Sequence, residues 1–212
     1  SRAPRIYPKY HKTKGNITGR KALSRQLKTA AESGLNVVRA WAHTVDPEYP
    51  VMLSPGKYDE RGLQALDFLL SEANKYGIRV ILSFVDNWKY HGGVDQIVDW
   101  SSTAPKRLYP RPTDKLGDFT QKDMNETLKE YEVRRHALFY TDKGSEEIYM
   151  GHIKALLERK NFYNGKKYKD DPTILAWNLI NEPRCENWLV NDCEKHLQSW
   201  IEKMSKFVKA HD

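Results

Sequence analysis

The sequence is poor in sulfur and lacks any long apolar run. Its two cysteines among 212 residues, Cys185 and Cys193, form no Cys-x-x-Cys pair and have no matching histidine pair. The spacing of a structural zinc site is therefore missing. No stretch approaches the ~20 apolar residues of a membrane-spanning helix, so that class is excluded. Acid is missing from the opening: Arg2, Arg5, Lys9, Lys12, Lys14, Arg20, Lys21, Arg25 and Lys28 all precede Glu32, the first acidic residue. Residues 1–19 read as a basic, irregular arm, solvated or in contact with a polyanion. Ser1-Arg2-Ala3-Pro4 is not a signal peptide, so a processed or truncated start is expected. No metal, cofactor, nucleic acid or membrane partner is expected, and the sequence leaves the oligomeric state open.

What is present fits one globular domain with a sizeable core: 39% hydrophobic and 30% charged residues. Cys185 and Cys193 are eight apart, which suits a small loop disulfide in an oxidising compartment or two buried thiols in a reducing one. Asn16-Ile17-Thr18 and Asn125-Glu126-Thr127 are glycosylation sequons, so secretion to the extracellular space is the expectation.

Elements alternate along the chain. Leu23, Leu27, Ala30 and Ala31 recur at helical spacing over 20–33, ahead of a strand over 35–41. Asp59 is placed to cap a helix with Leu63, Leu66, Leu69 and Ala73 on one face, stopped by Gly77. A strand over 78–85 follows. Residues 89–143 then break the rhythm as a long polar insertion, with 121–137 expected as helix. The helical period returns over 145–159, a strand covers 173–180, and a last helix starts near Asp192.

Helix-strand alternation predicts an α/β fold with a parallel sheet. Three strands are too few to close an eight-stranded barrel, which typically takes ~250 residues. The expected fold is therefore an incomplete (β/α)8 TIM barrel occupying residues 20–212.

The most informative stretch is Thr173-Ile174-Leu175-Ala176-Trp177-Asn178-Leu179-Ile180-Asn181-Glu182-Pro183-Arg184. Asp170-Asp171-Pro172 marks its start, and an Asn-Glu pair followed by proline marks its end. A parallel barrel places chemistry at such C-terminal strand tips. The other two strands also end polar and aromatic, with Arg39 and Trp41, then Asn87 and Trp88. Indole faces stack on pyranose C–H groups, amides and guanidinium bond hydroxyls, and a carboxyl moves protons. Three such tips together resemble a sugar site.

These segments carry a family resemblance. Arg39-Ala40-Trp41-Ala42, Tyr58-Asp59-Glu60, Ala65-Leu66-Asp67-Phe68, Val85-Asp86-Asn87-Trp88, Gly92-Gly93 with Trp100, Phe139-Tyr140-Thr141 and Asn181-Glu182-Pro183-Arg184-Cys185 resemble plant-type endo-β-1,4-mannanases of glycoside hydrolase family 5. The resemblance implies a (β/α)8 barrel, secretion, and retaining hydrolysis of internal β-1,4 bonds in mannan, galactomannan or glucomannan. It also implies that Glu182 is the acid/base, that Asn181 meets the substrate's 2-hydroxyl, and that Arg39 supports the catalytic carboxylates. Trp41, Asn87 and Trp88 would line the cleft.

In that family the nucleophilic glutamate lies three strands after the acid/base, beyond these residues. Glu186 and Glu48 are the nearby acids. Neither is placed to oppose Glu182, so no nucleophile is assigned and the chain alone is expected to be inactive. A non-catalytic carbohydrate-binding remnant and a family 5 cellulase-like glucanase remain alternatives.

Overall fold

The computed structural model describes residues 19–45, 50–89, 92–108 and 126–212. The basic arm through residue 18, Glu48 and Asn125 lie outside these. The element order is α1 (Gly19–Glu32), β1 (Val37–Trp41), β2 (Met52–Ser54), β3 (Lys57–Tyr58), α2 (Glu60–Lys75), β4 (Arg79–Ser83), α3 (Gly93–Trp100), α4 (Glu126–Ala137), α5 (Lys143–Leu157), β5 (Ile174–Asn178) and α6 (Cys193–Lys209). Single 3-10 turns at Leu138–Tyr140 and Tyr168–Asp170 complete it.

The three expected strands form one parallel sheet in the order β1-β4-β5. Register places Arg39 opposite Ile81, and Trp41 opposite Ser83. On the other side of β4, Ile81 faces Ala176 and Ser83 faces Asn178. Because successive strand residues point to opposite faces, Val80, Leu82 and Phe84 go together into the core, all fully buried. Helices cover that face only. The opposite face exposes Val37 at 38%, together with Arg39 and Ala176, while Leu175, 45% exposed, is the extra residue at the register shift between the Val80 and Ile81 pairs. Among the described residues β1 and β5 are the outer strands of this sheet. The fold is thus an α/β arc of a barrel, with one sheet face uncovered.

Local signals account for the helix ends. Asp59 is the N-cap of α2, accepting a hydrogen bond from the Arg61 N–H at 2.9 Å. Asp142 caps α5 in the same way, accepting from the Ser145 N–H at 2.7 Å. Trp200 of α6 packs on Phe139, Tyr140 and Tyr149, with ring centroids 5.1–5.6 Å apart.

The sequence reading missed two features. The proline-rich loop after β1 contains the short antiparallel pair β2–β3. The 89–143 stretch also carries α3 ahead of the expected helix α4. Val94, Ile97 and Val98 are buried along α3, so its apolar face, not its polar composition, decides its structure.

α5 also delivers a buried histidine. His152 Nε2 donates to the Phe84 carbonyl at 3.1 Å, and its Nδ1 lies 3.2 Å from the Tyr58 hydroxyl. Burial pushes its pKa down to about 4, despite the opposing bonds to the Phe84 and Ala42 carbonyls. In the unfolded chain an imidazole titrates near 6.5. Above that pH both states are neutral and the stability is complete. As pH falls from 6.5 to about 4 the unfolded chain takes up the proton first, and roughly 3 kcal/mol is lost. Urea unfolding at pH 7 and at pH 4 should show this loss in the native sequence. In His152→Gln most of that difference should disappear.

Candidate active site

The polar groups gather where β4 and β5 continue past their last regular residues. Asp86 and Asn181 pair across the strands as a parallel bridge. The Asn87 N–H donates to the Asn181 carbonyl at 3.1 Å, and the Asn181 N–H to the Val85 carbonyl at 3.0 Å. Both tips are therefore held at one height. α3 buttresses them from behind, its Val94 N–H donating to the Asp86 carbonyl at 3.0 Å. Gly93 permits this approach. It adopts φ +52°, and a Cβ there would lie 2.3 Å from the Trp88 carbonyl oxygen.

On this base the side chains interlock. Trp88 Nε1–H donates to Glu182 Oε2 at 2.7 Å. The Arg184 guanidinium lies over the Trp88 ring, 4.6 Å from its centroid, a cation–π contact. The Asn181 amide donates to Asp86 Oδ1 at 2.9 Å. Its own Oδ1 is buried with no hydrogen-bond partner among the described residues, although Asn181 is only 3% exposed. An unpaired buried acceptor costs on the order of 1–3 kcal/mol, and one beside an exposed carboxylate is suited to a ligand hydroxyl. Glu182 itself is exposed.

Glu182 also carries left-handed backbone, at φ 50°. For a residue with a Cβ this costs about 1–2 kcal/mol, and it persists where the surroundings over-determine it. Here the surroundings are the bridge at Asn181, the indole bond at Glu182, and the Arg184 N–H, which donates to Asn87 Oδ1 at 3.1 Å. The disulfide Cys185–Cys193, with Cα atoms 5.3 Å apart, then ties the turn to the start of α6.

Asn87, Trp88, Asn181 and Glu182 thus come together as the strand tips suggested. Trp41 ends β1 at the same end of the sheet, with its indole N–H buried and unpartnered among the described residues. Arg39 does not reach Glu182. It lies two residues down β1 on the uncovered face, its guanidinium 5.3 Å from the Trp41 ring centroid. Glu186 accepts from Trp188 Nε1 at 3.0 Å and does not oppose Glu182. Sequence reasoning missed Asp86, whose Oδ1 also accepts from the Trp88 N–H at 3.2 Å. Its place between a strand and Asn87-Trp88 was the available signal.

A parallel α/β sheet whose C-terminal tips carry an exposed carboxylate, an indole and a buried amide has the architecture of a barrel enzyme's active-site face. The sequence profile described as GH family 5 β-mannosidase-like matches residues 10–212, and the chain belongs to that family. It is 38% identical over 190 residues to Mannan endo-1,4-β-mannosidase 5 of Solanum lycopersicum, a match covering 90% of this chain and 39% of the tomato protein. Mannan endo-1,4-β-mannosidase 7 of Arabidopsis thaliana is 37% identical over 193 residues, or 91% of this chain and 38% of that protein. The chain therefore spans about two fifths of these relatives. Among solved structures, the family 5 mannosidase of Rhizomucor miehei superposes with a TM-score of 0.71 at 26% identity, covering 99% of this chain and 46% of that one. The endo-1,4-β-D-mannanase of Thermotoga petrophila gives 0.70 at 26% identity, covering 90% and 48%.

Proposed function

We propose that these residues form the acid/base half of a retaining endo-β-1,4-mannan hydrolase. The observation that carries the reading is the exposed Glu182 carboxylate, aimed by the Trp88 indole beside the unsatisfied Asn181 oxygen. Glu182 protonates the departing glycosidic oxygen, and Asn181 accepts from a sugar hydroxyl. Trp88, with the Arg184 guanidinium over its ring, supplies the aromatic wall of the site.

A retaining mechanism needs a second carboxylate ~5 Å across the cleft. The described acids around Glu182 are otherwise engaged. Asp86 binds Asn181 and the Trp88 N–H, Glu186 binds Trp188, Asp95 faces His136, and Glu132 binds Arg107. We place the nucleophile in the part of the family domain that this chain does not span. The remaining strands belong at the free edges of β1 and β5, where they would close the barrel around the uncovered face, and Arg39 on that face, with no ion pair among the described residues, is ready for the incoming carboxylate. The disulfide and the two sequons suit an oxidising, secreted setting.

Mannohexaose titrated into the chain, followed by tryptophan fluorescence, tests the reading. Binding should weaken about tenfold in Trp88→Ala, the loss expected for one stacked ring. Tighter binding of cellohexaose would move the substrate to a glucan, and no binding of either would remove the sugar site.

A further inference from the structure

A histidine from outside the recognised strand tips touches the Asn87 side chain that braces this turn. His136 sits in the last turn of α4, in the stretch that the sequence presents only as a polar insertion. Its side chain is 17% exposed. Nε2 lies 3.0 Å from Asn87 Oδ1, and Nδ1 lies 3.2 Å from Asp95 Oδ1.

The same Asn87 oxygen accepts the Arg184 N–H. A backbone N–H can only donate, so the atom it meets is the amide oxygen and not the amide nitrogen. His136 must then present a protonated Nε2 to that oxygen, and because a carboxylate oxygen only accepts, Nδ1 bonds Asp95 when it carries a proton as well. The imidazole orientation is fixed from both sides, since Asp95 is fully buried in the first turn of α3. α3 in turn holds the Asp86 carbonyl through Val94.

We propose that His136 is a positioning residue for Glu182. Its Nε2–H holds the Asn87 amide with the oxygen toward Arg184, and this bond fixes the Glu182–Arg184 turn in its left-handed conformation. Through Arg184 the effect reaches the Trp88 ring, and through the Trp88 indole it reaches the Glu182 carboxylate. Without the imidazole, the Asn87 amide loses one of the two donors that fix its oxygen and can swing away from Arg184, leaving the Arg184 N–H without its acceptor. The turn would open, and the indole–carboxylate bond would loosen. The significance of this role rests on the reading of Glu182 as acid/base, but the geometry does not.

The test uses the 212-residue chain and nitrogen-15 NMR. In the native sequence His136 Nε2 should show the shift of a protonated ring nitrogen. The Trp88 indole N–H should be displaced downfield by its bond to Glu182 and should lose that displacement in Glu182→Ala. His136→Phe should also lose it, while His136→Gln, which can return an N–H to the Nε2 position, should recover most of it. An unprotonated Nε2 in the native chain would overturn the proposal, whether or not any variant folds. So would a His136→Phe protein that is only less heat-stable and keeps the displaced indole signal. Neither result would touch the mannan reading, which the hexasaccharide titration decides separately.

Discussion

Joining these 212 residues to the parts of the tomato relative that they do not span should produce a protein that releases reducing ends from galactomannan. In that hybrid, Glu182→Gln should lower kcat about 10²–10⁴-fold, the range for loss of a general acid, with a much smaller change in KM. The reasoning starts from the sheet. β1, β4 and β5 are parallel, and past one register shift between Val80 and Ile81 they place Trp41, Ser83 and Asn178 side by side. The face carrying Val37, Arg39 and Ala176 lacks cover. On the proposed reading, strands supplied by the relative pair at the free edges of β1 and β5, enclose that face and bring a second carboxylate opposite Glu182. Glutamine keeps the size and can still meet the Trp88 indole through its carbonyl, so the fold and sugar binding survive while proton donation is lost. A hybrid that folds, turns over galactomannan and is indifferent to Glu182→Gln would assign the acid elsewhere.

Much of this was legible before any coordinates. Asn181 and Glu182 stood out because a turn signal and a proline bracket their strand, and that boundary also creates the tip. Asp59 was legible as a cap because capping needs only neighbours in sequence. Other features depend on contacts that no local pattern shows. α3 reads as loop because Gly92-Gly93 opens it and Asp95 and Asp99 interrupt its eight residues. It is a helix because Gly93 lets it pack beneath residues 86–88 and because Val94, Ile97 and Val98 find a core there. His136 carries no signal, since its value lies in the approach of α4 to Asn87, 49 residues away. Arg39 looked like part of a strand tip. The register shows it two positions lower, about 7 Å from the tip, turned toward the uncovered face.

The second large effect concerns these residues on their own. A retaining hydrolase with one carboxyl group can protonate a leaving oxygen but has nothing to attack the anomeric carbon, so the covalent step cannot begin. The described acids near Glu182 are held by Asn181, Trp188, His136 and Arg107. Moving any of them into the cleft would break bonds that form the site. The isolated chain should therefore bind a mannan oligosaccharide and leave it uncut.

The measurement that bears most directly on this account is reducing-end release from galactomannan by the purified, folded 212-residue chain, run beside Glu182→Gln. The account predicts no release above the blank from either protein. Release by the native chain that vanishes in Glu182→Gln would contradict it, because the second carboxylate would then lie within these residues or arrive from a second copy of them.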